Sequence, residues 1–317
     1  MRILLVRLDG IGDAAVCVPL VAALREAGHE IGVALTTRNA GLFAPEAIVA
    51  QHVLERIPWP AHGSTPESTA RAAAEIAAMR YDVALIASEE PEAFALAAPV
   101  RERVGFTTGW ARPLKTLWAR ARTTRTVSRS QRIGREDAHE VEVMYRLGAG
   151  LVREPAPPAD SERLREVLCG SGPDTFGAGD KPELIIQAGP KWIASGVAPE
   201  TLRNVLTRLS RYARIVAAPG EAGAVRDLTG IVPQTYPSLR AWVQAVGRCH
   251  TVVSVDTGAA HVAGMLCPRV IDVFPDAHFE VQVRRWRPWA SRFRAFRASE
   301  IDGGPHSRLI EALFDAF

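Results

Sequence analysis

The stretch VRLDGIGDAA, residues 6–15, closes an apolar run from Ile3 to Val6 with two aspartates and two glycines. An apolar-periodic segment follows from Ala14 to Ala27 and stops at Gly28. The run reads as a buried strand and the periodic segment as a helix, so the ten residues form a strand-to-helix turn. Working outward, EIGVALTT and HVLERI read as the second and third strands. Thr65 to Met79 reads as a helix entered at Pro66, and DVALIAS as a fourth strand. Near-continuous apolar strands that alternate with helices specify a parallel sheet covered on both faces. The pattern loosens from Thr107 to about Arg135, and the helix AHEVEVMYRLGAG then ends on Gly148 and Gly150.

After LVREPAPPAD, residues 151–160, the alternation restarts. Its three prolines predict a stiff, extended linker. The short helix from Ser161 to Leu168 and a Gly-rich loop follow. ELIIQAG, RIVAAPG, TVVSVDTG and RVIDVFP then read as strands with helices between them, and HSRLIEALFDAF as an amphipathic tail helix. The expected fold is therefore α/β, with two doubly wound Rossmann-like domains. The linker divides them into residues 1–153 and 154–298, with a tail at 299–317. Ligands of such sheets bind at the carboxyl ends of the strands, so two facing domains predict a site in the cleft between them.

A net charge of +3 gives no reason to expect a nucleic-acid partner. Cys17, Cys169, Cys249 and Cys267 are far apart, with no C-x-x-C pair, and read as small buried hydrophobes in a reducing cytoplasm. Arg7 and Asp9 interrupt the N-terminal apolar run too early for a signal peptide. The expected location is the cytoplasm.

Two constellations carry chemistry. In the first, GIGDAA approaches the G-x-G-x-x-G/A pattern of dinucleotide sites, and Arg38 after the second strand is placed to meet a 2′-phosphate. An NADP-dependent oxidoreductase is thus one reading. Against it, Asp13 stands where the pyrophosphate would approach, and no acid ends the second strand. Asp13 is either a helix N-terminal carboxylate, favoured by the macrodipole, or a general base, with Gly10 and Gly12 admitting a substrate hydroxyl. In the second, a strand ends in Asp256-Thr257-Gly258 and the following helix carries His261. Such a turn is either an ordinary N-cap or a phosphate cradle of backbone N–H groups and the Thr257 hydroxyl.

Together, ILLVRLDGIGDAAVCVPLVAALRE and VSVDTGAAHVAGML resemble glycosyltransferase family 9, the lipopolysaccharide heptosyltransferases. RVGF at 103–106, HEVEVMYRLGAG and RWRPWASRFRAF also resemble family segments, so the likeness runs through most of the chain. It implies a GT-B fold, inverting transfer from ADP-heptose with no further cofactor, and a seat in the cytoplasm or at the cytoplasmic face of the inner membrane. It also implies Asp13 as the base, Thr257 and Gly258 near the diphosphate, Asp256 near the sugar, and His261 supporting the turn. Glu221 would reach the nucleotide ribose, and the last helix would return to the first domain.

The family's Lys-Arg-Trp-Pro-like run is replaced by QAGPKWIASGVAPE, which puts Ser195, Gly196 and Val197 at that place. Lys191, followed by Trp192, is the available substitute for the phosphate-binding lysine. This departure motivates a further reading, a GT-B-shaped protein that binds a nucleotide or partner without catalysis. No D-x-D occurs, so a metal-independent mechanism is expected, with lysine, arginine and helix N–H groups stabilising the leaving diphosphate.

From Ala111 to Arg135 no acid interrupts a run of basic residues that includes Arg112, Lys115, Arg120, Arg122, Arg125, Arg129, Arg132 and Arg135. It is either a solvated loop or a contact for an anionic lipid-linked acceptor or membrane surface, with Arg120 and Arg122 on the acceptor's approach. Aromatic side chains are too few there for single-stranded nucleic acid.

Overall fold

The computed structural model describes residues 1–56, 63–129, 138–171, 184–302, 304 and 308–314, in two compact units, Met1–Ser171 and Gly172–Phe317. The first unit is built on six strands: β1 (Arg2–Val6), β2 (Glu30–Thr36), β3 (Ala50–Leu54), β4 (Val83–Ile86), β5 (Glu102–Thr107) and β6 (Arg125–Ser128). All pair in parallel, in the order β3-β2-β1-β4-β5-β6. Central β1 pairs Ile3 with Ile31 on one side and with Val83 on the other. Its residues Ile3 to Val6 are wholly buried, as a strand covered on both faces must be.

The helices of this unit are α1 (Ile11–Ala15), α2 (Val18–Glu26), α3 (Pro66–Met79), α4 (Pro91–Ala97), α5 (Pro113–Arg120), α6 (Glu140–Tyr145) and α7 (Ser161–Cys169). The single helix expected over Ala14–Ala27 is thus two. Pro19 offers no N–H and its ring crowds the carbonyl four residues back, so the chain breaks at Val16-Cys17 and restarts with the proline in a first turn. The segment read as loose holds α5 and the edge strand β6, whose partly exposed RTVS has no apolar run to announce it.

The first unit extends past the expected boundary at residue 153 and takes in α7. Leu164, Val167 and Leu168 are buried, and the Ala44 N–H donates to the Val167 carbonyl at 2.8 Å. Arg163 of α7 pairs with Glu26 and, at 3.2 Å, with Glu154. The proline-rich segment therefore stiffens a connection inside the first unit.

The second unit has strands β7 (Leu184–Gln187), β8 (Arg214–Val216), β9 (Thr251–Val255), β10 (Arg269–Phe274) and β11 (Arg292–Arg297), in the parallel order β11-β10-β9-β7-β8. Its helices are α8 (Lys191–Ala194), α9 (Pro199–Leu209), α10 (Ala222–Thr229), α11 (Leu239–Val246), α12 (Gly258–Leu266), α13 (Phe279–Trp286) and α14 (Arg308–Phe314). Residues Ala259 to Leu266 of α12 are all buried. At Gly264 a Cβ would come within 2.8 Å of Pro288 Cα, so glycine lets the RWRPWAS segment close on the helix. The Gly264 carbonyl accepts the Ala290 and Ser291 N–H groups at 2.8 and 2.9 Å.

Leu309 and Ala312 of α14 are fully buried in the second unit's own core, with Phe296, Ala298 and Ile301. The largely buried Arg269, at the start of β10, donates to the Ala312 carbonyl and, at 3.4 Å, to that of Leu313. A cation on the last carbonyls of a helix satisfies acceptors that no intrahelical N–H can reach. The helix thus packs within the second unit.

Strand order locates one switch point in each sheet, where successive crossovers leave in opposite directions. It falls between β1 and β4 in the first unit and between β7 and β9 in the second.

Candidate active site

At the first switch point, the turn after β1 gathers a charged network. Gly10 is the N-cap of α1, Gly12 lies within it, and Asp13 stands at its third position. One Asp13 oxygen accepts from the Gly10 N–H at 3.2 Å, the other from the Arg7 guanidinium at 2.7 Å. Asp13 thus fulfils the structural role open to it in sequence, and about a third of its side chain still meets solvent. Asp9 lies 3.2 Å from Arg7 Nε and accepts from the Ser88 hydroxyl at 2.6 Å. Ser88, just past β4, in turn accepts the Leu8 N–H at 2.7 Å. Buried Asn39 donates to the carbonyls of Arg7 and Asp9, both at 3.2 Å, which fixes the turn from the β2 side.

Arg7 is the residue that sequence reading passed over. Its side chain is buried, and it also donates to the Ala87 carbonyl. Burial works against its charge, but the carboxylates of Asp9, Asp13 and Glu140 outweigh burial and raise its pKa, so it stays a cation. The available signal was an arginine directly after the uninterrupted apolar run Ile3 to Val6. Burial pushes the neighbouring Cys17 thiol up to about 12, so it is an inert core group.

Two members of the basic stretch are neutralised in the same unit. Lys115 Nζ lies 2.5 Å from Glu89, and Arg129 sits between Glu89 at 3.7 Å and the fully buried Glu140 at 2.5 Å. Arg120 is exposed at the end of α5, while Arg122 folds over the Trp118 ring at 4.3 Å and donates to the Trp118 carbonyl. No contact joins either of them to the Asp13 network among the described residues. Arg132 and Arg135 lie outside the described residues.

At the second switch point, β9 is followed by Asp256, whose N–H continues the ladder to the Val273 carbonyl at 3.0 Å. Thr257 caps α12, accepting the Ala259 N–H at 3.3 Å, and its hydroxyl is 2.9 Å from that of Ser254. Gly258 is the first residue of α12, whose opening N–H groups have no intrahelical acceptors. His261 is buried, with Nε2 3.6 Å from Asp256 Oδ1 and its ring 5.5 Å from that of Trp286. That separation is too long for a hydrogen bond, so the imidazole meets the turn by packing.

Across the switch point, β7 is followed by Gly189, Pro190 and Lys191. Lys191 is exposed at the start of α8. Glu221, the N-cap of α10, reaches back to the same edge: a Cβ on Gly189 would lie 2.6 Å from its Oε2. Burial raises the Glu221 carboxyl above its ordinary value. Trp192 is core, 1% exposed, with its indole N–H on the Gln187 carbonyl at 2.8 Å. Ser195 and Val197 are buried too, so only Lys191 of this segment offers a charge to a ligand.

Asp272, in the middle of β10, is fully buried and neither oxygen has a hydrogen-bond partner among the described residues. Burial raises its carboxyl well above the ordinary range, nearby Asp256 adds to this, and the Val273 N–H works only weakly against it. The folded state then binds a proton that the unfolded chain releases near pH 4, so this group's contribution to stability falls as pH rises above that point. We expect Asp272→Asn to become progressively more stable than wild type with rising pH, by up to about 1.4 kcal/mol per pH unit. Urea unfolding at several pH values between 5 and 8 reads this, and a constant difference would contradict it.

Two all-parallel Rossmann-like units in one chain are the GT-B fold. No protein-family model matches the chain, and no curated protein is similar to it in sequence. Solved structures are similar. Escherichia coli heptosyltransferase WaaC with ADP matches with a TM-score of 0.68 and 18% identity, over 98% of this chain and 99% of that one. WaaC with ADP-2-deoxy-2-fluoro heptose gives 0.69 and 19%, over 99% and 100%. The E. coli ADP-heptose lipopolysaccharide heptosyltransferase II gives 0.67 and 13%, over 99% and 97%. At such identities the likeness establishes the fold.

Proposed function

We propose that this protein is an inverting glycosyltransferase of the family 9 heptosyltransferase type. It moves a heptose or related sugar from an ADP-sugar to a lipopolysaccharide-type or other bacterial glycan acceptor. The observation that carries the reading is positional: Asp13 and the Asp256-Thr257-Gly258 turn each fall at the carboxyl edge of their sheet, at its switch point. The ligands of the similar WaaC structures, ADP and ADP-2-deoxy-2-fluoro heptose, support the choice of nucleotide.

Inverting transfer needs a base for the incoming hydroxyl and stabilisation of the departing diphosphate. Asp13 takes the acceptor proton as the oxygen attacks the anomeric carbon, the bond from that carbon to the diphosphate breaks, and ADP leaves. The first N–H groups of α12, the Thr257 hydroxyl and Lys191 meet the charge that develops on the diphosphate. Asp256 accepts hydrogen bonds from the sugar, and Glu221 from the ribose. Arg7 is a positioning residue: it holds one Asp13 oxygen while the Gly10 N–H holds the other.

Thermal unfolding with ADP, UDP, GDP and NADPH tests the reading. A ligand at about 100 times its dissociation constant adds about 2.7 kcal/mol. At roughly 2–4 °C per kcal/mol, that is a shift of about 5–10 °C. We expect it with ADP. A shift with UDP or GDP alone would keep glycosyl transfer and change the donor, and one with NADPH alone would replace the reading with an oxidoreductase. Binding of ADP without turnover over a donor and acceptor panel would favour a non-catalytic protein, in line with the buried Ser195 and Val197 at the place of the family's Lys-Arg-Trp run.

A further inference from the structure

The face of α5 is turned inside out relative to an ordinary surface helix. Thr116 and Ala119 pack inward, while Leu114 and Leu117 are 82% and 62% exposed. Trp110, one turn before, is 95% exposed. At 100° per residue Leu114 and Leu117 lie on the side opposite Thr116 and Ala119, so the apolar face points to solvent. Single exposed hydrophobics need no explanation, but three large ones within eight residues do. The surrounding charge has one sign. Between Thr107 and Arg129 the chain has no acid. Lys115 and Arg129 are held by Glu89 and Arg125 donates to the Ala149 carbonyl, which leaves the exposed Arg112, Arg120 and Arg122 in the same stretch as the apolar face.

We infer that Trp110, Leu114 and Leu117 form a docking face for an anionic lipid bilayer. Such a surface takes apolar side chains at the acyl boundary and tryptophan at headgroup depth, and its phosphates meet the flanking arginines. Charge complementarity selects this occupant, since among the described residues Arg112, Arg120 and Arg122, which flank the three, are exposed cations with no acidic partner on the protein. Nucleic acid fits less well, because Trp110 is the one exposed aromatic side chain of this face and stacking needs a series of them. Among the described residues no helix is long and apolar enough to cross a membrane, so the contact is a reversible one at the surface. This docking needs no glycosyl transfer, and its test stands or falls separately from that of the proposed activity.

The full chain is sedimented with vesicles of phosphatidylcholine, alone or with about one third phosphatidylglycerol. Wild type is expected on the anionic vesicles only, and less so as salt is raised. Leu114→Ser/Leu117→Ser should bind them at least about tenfold more weakly, since each leucine loses a burial worth that factor. Its unfolding midpoint should match wild type, because both positions are exposed. Trp110→Phe should lose a blue-shifted component of the emission seen with vesicles. Absence of wild-type binding, or equal binding of the double variant, would overturn the inference. Binding to polyglutamate with none to vesicles would overturn it in favour of an acidic protein partner.

Discussion

Asp13→Asn is expected to slow transfer from the ADP-sugar by about 10²–10⁴-fold, the range for loss of a positioned general base. The amide keeps the shape of the carboxylate and can still accept from the Gly10 N–H, which lies 3.2 Å from Asp13 Oδ2. What it cannot do is receive the acceptor's proton. ADP should raise the melting temperature of the variant as is expected for wild type, because the residues assigned to the nucleotide belong to the other unit. Initial rates at saturating donor decide the matter. Full activity in Asp13→Asn would assign the carboxylate to the α1 N-terminus alone, and loss of ADP binding would point to general disruption.

Arg7→Met is expected to destabilise the first unit by about 3 kcal/mol. Methionine replaces the stem but leaves Asp9 and Asp13 without the cation that lies 3.2 and 2.7 Å from them. The buried Ala87 carbonyl loses a donor as well. Urea unfolding measures the loss. A value below about 1 kcal/mol would mean that water solvates the two aspartates as it does a surface pair. The double variant Arg7→Met/Asp13→Asn separates the shared part, since residues in one ion-pair network couple by about 0.5–3 kcal/mol. Additive losses would remove Arg7 as the positioning residue of Asp13.

Most of the element order was legible because it is local. Burial on both faces requires β1 to be apolar from Ile3 to Val6, and Pro66 and Gly28 punctuate helices through backbone geometry alone. The edge strands β6 and β11 were missed for the converse reason: half exposed and paired on one side only, RTVS and RFRAFR need no apolar run. The break at Pro19 was readable and was overridden by the apolar periodicity on either side of it.

The site divides in the same way. Asp13 and Asp256-Thr257-Gly258 stand out in sequence because a turn between strand and helix needs short polar residues and glycine at fixed offsets, and those offsets are covalent. The setting of Asp13 depends on Arg7, Ser88 and Asn39, which meet only when β1 lies between β2 and β4 in register. Asp272 shows the limit most clearly. In sequence it is one acid in an apolar run; in the sheet it is a carboxyl wholly out of water beside Asp256. Strand order and register, set by which apolar faces cover one another, decide which charges are buried together, and no local pattern carries that information.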